Sequence, residues 1–367
     1  MKRRHACATS SRTRKHRVKL DELILSPSPW LAPGGPQSDI VLSTRVRLAR
    51  NVAGRPFSTR LRPEERQDLE AYLRRAVLSA FGTHTITWFE LADMPEIDRR
   101  CLVERHLISR ELAAGEGVRG VGIDHAQRTA VMAGEEDHLR LQVIFPGLQL
   151  HEAWLEADSL DNRLEEHVTF AFSPRLGYLT ACPTNVGTGM RASVMLHLPA
   201  LVLTKQIEKV FRAVARMRLA VRGLYGEGTQ ATGDIYQISN QASLGRSEDE
   251  ILKALGAVIP QIIAYEQQAR HVLAGESPTM LDDRIYRAWG ILTHARTISS
   301  DETLALLSAV RLGIHMGRLR GVDLAAVNEL FLLTRPGHIQ KIRGAELPEP
   351  QRDVARAEYI RKRLGAT

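Results

Sequence analysis

The octapeptide Val41-Leu42-Ser43-Thr44-Arg45-Val46-Arg47-Leu48 decides how this chain folds. Its residues alternate. Leu42, Val46 and Leu48 fall on one side and Ser43, Arg45 and Arg47 on the other, as in a half-buried β-strand. Upstream, residues 21–38 hold Pro27, Pro29, Pro33, Gly34, Gly35 and Pro36 and read as an irregular lead-in. Downstream, Pro63 opens a helix with the apolar stripe Leu69, Tyr72, Leu73, Ala76 and Val77, which Gly82 ends. Strand-like segments follow at Arg119–Asp124, Thr129–Met132, His138–Phe145, Gly177–Ala181, Leu219–Leu224 and Asp234–Ser239. Helices lie between them, the longest expected from about Leu150 to Phe172. This is an α+β pattern.

After Gly245 the character changes. Ser247 and Glu250 form a capping box for a helix whose inward residues are Ile251, Leu255, Val258 and Ile262. Every later periodic segment reads as helix: Leu281–Leu292, Thr303–Gly317, Asp323–Leu333 and Pro350–Leu364. The expected organisation is a basic extension and lead-in over 1–38, a mixed domain over 39–270 and a helical domain over 279–367.

The 367 residues carry 50 Lys+Arg against 42 Asp+Glu, a formal net charge of +8. Eight of the basic residues and no acidic one lie in residues 1–20, so 42 of each sign remain over 21–367. The excess sits in a tail, and a nucleic-acid partner resting on overall charge loses its support. No apolar run approaches the ~18–20 residues of a membrane span, and no apolar segment follows the basic N-terminus as in a secretory signal. Cys7, Cys101 and Cys182 are too few and scattered for a disulfide framework or a cysteine-based zinc site. The expectation is a cytoplasmic protein with neither membrane nor nucleic-acid partner and no metal ligands of its own.

Gly115-Glu-Gly117-Val-Arg-Gly120 matches the dinucleotide fingerprint, but a helical segment (Arg105–Ala114) precedes it and a strand follows, the reverse of what that motif requires. It reads as a turn. Walker A and ordinary protein-kinase signatures are missing. Arginines instead recur in strand-like or Gly-flanked places: Arg45, Arg47, Arg140, Arg191 and Arg222. Each alone is ordinary, but several guanidinium forks on one anion hold a polyphosphate without a P-loop. The nearby acids Glu136 and Glu227 would then face a second substrate.

The segments SDIVLSTRVRLARN (38–51), EEDHLR (135–140), GYLTACPTNVGTGMRASVMLHLPAL (177–201), VRGLYGEG (221–228) and DIYQISNQ (234–241) resemble the ATP:guanidino phosphotransferase (phosphagen kinase) family. Within it they are most similar to the bacterial protein-arginine kinases. The similarity runs from about Leu20 to the C-terminus. It implies a phosphagen-kinase-like catalytic domain, an antiparallel sheet flanked by helices, followed by an all-helical C-terminal domain. It also implies ATP with Mg²⁺ as cofactors. ATP contacts would come from Ser43, Thr44, Arg45, Val46 and Arg47, from His106 and Arg140, from Arg191, Ala192, Ser193, Val194 and Met195, and from Arg222, Gly223, Leu224, Tyr225, Gly226 and Glu227. Glu136 and Glu227 would hold the acceptor guanidinium beside Cys182. Gly134 departs from the family, which usually has Asn there.

A guanidinium is a poor nucleophile while protonated, so one carboxylate must remove a proton. Glu136 is assigned as base and Glu227 as orienting group, and the two could share these roles. Near the C-terminus Arg352-Asp353-Val-Ala-Arg356-Ala357 resembles the family's RDxxRA motif, an allosteric phosphoarginine pocket, with Val354, Ala357, Ile360 and Leu364 expected on the packing face. The resemblance further implies a homodimer, arginines of proteins as substrates, marking of those proteins for a Clp-type unfoldase–protease, and an activator protein. Two other readings stay open at this point: a kinase of small guanidines such as arginine, and a catalytically weak phosphoarginine-binding adaptor. Residues 1–19 lie before the resemblance begins and are expected to be a disordered tail or the product of an upstream start codon, with Val18 as the true start.

Overall fold

The computed structural model describes residues 20–223 and 232–365. Its first half contains α1 (Leu20–Leu25), β1 (Val41–Arg50), α2 (Pro63–Phe81), β2 (Ile86–Glu90), α3 (Glu96–Glu104), α4 (Arg110–Ala114), β3 (Gly120–Asp124), β4 (Thr129–Ala133), β5 (Leu139–Pro146) and α5 (Leu150–Glu165). A short hairpin of β6 (Phe172–Ser173) and β7 (Gly177–Tyr178) precedes β8 (Met190–His197), α6 (Pro199–Leu203), α7 (Ile207–Arg216), β9 (Leu219–Gly223) and β10 (Ile235–Asn240). The rest is helical: α8 (Glu248–Glu276), α9 (Pro278–His294), α10 (Ser300–His315), α11 (Leu324–Leu333), α12 (Pro336–Arg343) and α13 (Glu349–Arg363).

Eight strands form one sheet in the order β2-β3-β4-β5-β1-β8-β10-β9, with every recorded pairing antiparallel. Thus β1 is an inner strand, not a half-buried one: Thr44, Val46 and Leu48 are fully covered on one face and Ser43 is buried on the other. Helices α2, α5 and α8 cover the first face. Leu73, Val77, Ala153, Ala157, Leu255 and Ile262 share a core there with Val46, Leu48, Leu141, Val194 and Ile238. The same core continues through Leu281, Ile285, Leu304, Val310, Leu330 and Ile360 of the C-terminal helices.

Buried polar groups lock the helical region onto the sheet. The Arg311 guanidinium donates to the carbonyls of Ser38 and Asp39 and to His197 Nδ1. Since Nδ1 accepts, the neutral ring carries its proton on Nε2, which reaches Ser308 Oγ at 2.9 Å; that hydroxyl donates to Asp234 Oδ2 at 2.6 Å. Glu266 accepts from the backbone N–H groups of Ala200 and Leu201 at the start of α6.

Several boundaries depart from the sequence expectation. The helix from Leu150 stops at Glu165 because Val168 and Phe170 turn inward, Phe170 bridging to Val52. The segment expected as a helix from Arg105 begins only at Arg110. His106 sits in the left-handed region (φ 59°), and the Ser109 side chain caps the shortened helix. Gly115–Gly120 is a turn entering β3, as its flanks indicate. Strand β8 escapes an alternation rule because all of its residues except Arg191 are buried, the polar Ser193 and His197 included. Helix α12 is short and opens on Pro336, where sequence alone shows little period. On α13, Ala357 and Ile360 are buried but Val354 is 53% exposed, so the expected packing face is narrower by that residue.

Candidate active site

The register of the ladders assembles the site. Residues directly opposite one another in an antiparallel pair project from the same face. Arg45 lies opposite Ile144 and Ser193, Arg47 opposite Gln142 and Arg191, and Ala49 opposite Arg140. One ladder further, Met195 faces Gln237, which in turn faces Arg222. Arg45, Arg47, Arg140, Arg191 and Arg222 therefore share the sheet face opposite the main core. They line one cleft of about 350 Å³ with His106, Glu135, Glu136, Cys182 and Gln237.

That face is short of negative charge. Burial first, then Arg140 and Arg191, pull the Arg45 guanidinium down to about 10. Arg47 lies well below the usual arginine range through burial, then the charges of Arg45, Arg140 and Arg191, opposed by Glu135. Arg45 donates to Gln237 Oε1 at 3.0 Å, and Arg47 Nε is buried without a hydrogen-bond partner. A multiply charged anion with several acceptor oxygens would relieve both the repulsion and the missing bond. The triphosphate of a nucleotide has that chemistry.

The acidic side is built on the turn before β5. Gly134 takes φ 86°, a conformation open to Gly and, less readily, to Asn, and a Cβ there would lie 3.1 Å from Arg119 Cβ and 3.2 Å from the Val118 carbonyl oxygen. Arg140 then forks across both acids, with Nη1 2.7 Å from Glu135 Oε1 and Nη2 3.1 Å from Glu136 Oε1. The Glu135 side chain is only 5% exposed, whereas that of Glu136 is 43% exposed. Burial raises the Glu135 carboxyl above its usual range, against the pull of Arg140 and Ser109. Asp137 joins this turn to the cysteine segment. Its Oδ1 accepts from Asn51 Nδ2 at 2.6 Å and from the Ala181 N–H at 2.7 Å. Cys182 caps the short helical turn Pro183–Asn185, with Sγ 3.1 Å from Thr184 Oγ1. Gly189, just before β8, could not carry a side chain. A Cβ there would meet the Ala49 carbonyl at 2.6 Å and the Arg50 guanidinium at 2.7 Å.

His106 reaches the cleft from the α3–α4 turn, edge-on to Trp30 at 4.9 Å between ring centroids. Burial, then the charges of Arg45, Arg335, Arg47 and Arg110, hold its pKa well below the usual value, so the ring is neutral at pH 7. The expected nucleotide stretches divide by face: Thr44, Val46, Ala192 and Val194 point into the core, not the cleft, and Ser193 Oγ bonds the Arg45 carbonyl at 3.4 Å. Gly223 ends β9, and Leu224, Tyr225, Gly226 and Glu227 lie outside the described residues. Glu135, Ser109 and Gln237 are cleft residues that sequence reasoning passed over. For Gln237 the signal was present, since it alternates with Tyr236 and Ile238 within a strand-like segment, and the ladder then sets it opposite Arg222.

Arg352 and Arg356 do not share an open face. Arg356 is 1% exposed and donates to the carbonyls of Thr334 and Ile298 and to Asp353. Arg352 bonds the Leu347 carbonyl at 3.0 Å and lines a cleft of about 420 Å³ with Arg100 and Gln340. Ala357 is buried. Among the described residues, Cys101, Glu104 and His338 form the one trio with metal-ligand spacing. It lies outside the arginine cleft, and Glu104 there already accepts from the N–H groups of Gly337 and His338 at the start of α12. No described helix is long and apolar enough to cross a membrane.

Comparison with known proteins bears on this geometry. Residues 69–269 match the family model of the ATP:guanido phosphotransferase C-terminal catalytic domain, and residues 278–367 match that of the protein-arginine kinase McsB C-terminal domain. A protein-arginine kinase of Halothermothrix orenii is 49% identical over 338 residues, 92% of this chain and 96% of that protein. One of Moorella thermoacetica is 46% identical over 92% of this chain and 97% of its own. Among solved structures, the duplicated taurocyamine kinase of Schistosoma mansoni with bound transition-state-analogue components superposes with a TM-score of 0.57 at 32% identity, covering 65% of this chain and 34% of that one. Lombricine kinase gives a TM-score of 0.56 at 25% identity, covering 71% and 79%.

Proposed function

The chain belongs to the ATP:guanido phosphotransferase family, and from that premise we propose that it is a protein-arginine kinase, moving the γ-phosphoryl of ATP onto the guanidino group of arginines in proteins. The observation that carries the proposal is the set of five arginines on one sheet face, bordered by the exposed carboxylate of Glu136. Bound ATP supplies the phosphoryl group, and Mg²⁺ carried on its phosphates adds to charge neutralisation. The chain's own part is position and charge. Arg45, Arg47, Arg140, Arg191 and Arg222 hold the phosphates and stabilise charge as the phosphoryl moves. Neutral His106 contacts the nucleotide. Glu136 takes a proton from the acceptor guanidinium and directs its nitrogen in line with the phosphorus. Glu227 orients the same group, and Cys182 borders it.

The test is incubation with Mg-ATP and either an unfolded protein or free arginine, followed by mass spectrometry for phosphoarginine under non-acidic conditions. Product on protein is expected. Product on the free amino acid alone would select a small-guanidine kinase, and none on either would select a binding adaptor. Glu136→Ala and Glu227→Ala should each abolish transfer while ATP still binds.

The wider reading is a cytoplasmic homodimer that marks proteins for a Clp-type unfoldase–protease, with an activator protein. Its support is the family resemblance. The RDxxRA segment is proposed to bind phosphoarginine at Arg352, backed by Asp353 and Arg356. Added phosphoarginine should then change the activity of the wild type but not of Arg352→Ala.

A further inference from the structure

A second cleft, of about 240 Å³, opens off the first. Glu135 and Glu136 line both, whereas the five phosphate-face arginines line only the first. Glu136 therefore stands at a seam. Phosphate chemistry lies on one side of it, and a differently built surface on the other.

That surface has an apolar floor of Leu61, Leu69 and Leu73, all buried. Two polar atoms of its lining have no hydrogen-bond partner: Ser58 Oγ, in a residue 8% exposed, and Glu135 Oε2, in a side chain 5% exposed. Buried polar atoms are normally paired, and here one can donate while the other accepts. An extended polypeptide offers the complementary pair, a C=O for the hydroxyl and an N–H for the carboxylate. Exposed Glu111 and Glu116 add acidic groups at the lining; its one arginine, Arg66, is held by the carbonyls of Leu61 and Ser58, and its Glu70 by Trp88 Nε1.

We propose that this cleft seats the polypeptide next to the target arginine, taking an apolar neighbouring side chain on its leucine floor and favouring basic residues beyond it. The proposal rests on Glu136 holding the acceptor guanidinium. A small guanidine has no such neighbour and gains nothing from the cleft, so the cleft discriminates protein arginine from free arginine through binding.

The test uses the full chain with Mg-ATP and three acceptors: a capped peptide with leucine next to the arginine and lysines beyond, the same peptide with aspartates for the lysines, and N-acetyl-arginine amide. The wild type should favour the lysine peptide. Glu116→Lys should raise KM for it roughly three- to tenfold and lower KM for the aspartate peptide, leaving kcat, the KM for ATP and the capped amino acid unchanged. Ser58→Leu, which fills the cleft, should raise KM for both peptides but not for the capped amino acid. Equal effects of Glu116→Lys on all three acceptors, or none on any, would overturn the cleft while leaving Glu136 in place. If the wild type phosphorylates no acceptor, the assignment of Glu136 falls, and the cleft with it.

Discussion

Two sets of desolvated arginines in this molecule, one fully buried and one half-buried, have opposite fates. Arg105 and Arg311 are 1% exposed, and each is surrounded by acceptors. Arg105 donates to the carbonyls of Ile24 and Ser26 and to Gln127 Oε1; Arg311 donates to Ser38, Asp39, His197 and Asn328. On the sheet face, by contrast, burial and then neighbouring arginines depress both groups, Arg140 and Arg191 acting on Arg45, and Arg45, Arg140 and Arg191 on Arg47. Arg47 also keeps a buried Nε without a partner. Burial alone does not separate architecture from function. The first set is matched by fixed carbonyl dipoles of the chain itself, which do not leave. The second is matched only in part, and a polyphosphate supplies what is lacking.

The strongest way to break this comparison is to remove one member of each set. Arg47→Ala should lower kcat/KM by about 10²–10³, the cost of losing one transition-state donor, while the thermal midpoint stays level or rises as repulsion is relieved. Arg311→Ala should do the reverse. It strands the carbonyls of Ser38 and Asp39 and the ring of His197, for a loss of roughly 3–5 kcal/mol in chemical denaturation. Equal stability losses in the two variants would erase the distinction.

A second, smaller effect sharpens the architectural side through pH. Burial is the first cause holding His197 well below its usual pKa, with Arg311 next, and His315 is likewise held down to about 3. A histidine whose folded pKa is depressed stabilises the fold fully above its unfolded value near 6.5. Below that pH the unfolded chain takes up a proton that the folded chain refuses. Stability should therefore fall as pH drops from about 6.5, by roughly 1 kcal/mol per such histidine per pH unit, down to the folded pKa. Urea midpoints at pH 7.5 and 5.5 measure it. In Arg311→Ala the His197 contribution should shrink, because the donor that requires a neutral Nδ1 is gone.

How much of this could be read in advance differs between the two sets. Alternation in Val41–Leu48 gave the strand and the shared face of Arg45 and Arg47, since a period of two is a local property. Glu136 came from a motif. Its neighbour Glu135 is the same residue type, and only the turn at Gly134 and the fork of Arg140 decide which of the two is buried. Arg311 has no local signature at all. Its acceptors at Ser38 and Asp39 are about 270 positions away, a separation the sequence pattern does not encode. Arg356 misleads for the same reason: its spacing from Arg352 suggests an open pair, yet carbonyls from two other segments draw it inward.

The smallest expected effect tests the sheet face from the uncharged side chain of Gln237. Gln237→Ala removes the 3.0 Å bond to Arg45. A hydrogen bond to a charged group contributes about 1.5–3 kcal/mol, but phosphate oxygens at Arg45 replace much of it when ATP is bound, so the KM for ATP should rise only roughly two- to tenfold with little change in kcat. Gln237→Glu separates the two roles of the face more finely. A carboxylate there would pair with Arg45 and offset the repulsion from Arg140 and Arg191, raising the thermal midpoint of the unliganded protein. It would also repel the incoming phosphates and weaken ATP binding beyond the alanine variant. Stability and nucleotide affinity moving in opposite directions is the mark of a face left under-neutralised for its ligand. If both fell together, Gln237 would be an architectural residue, and Arg45 would belong with Arg105 and Arg311.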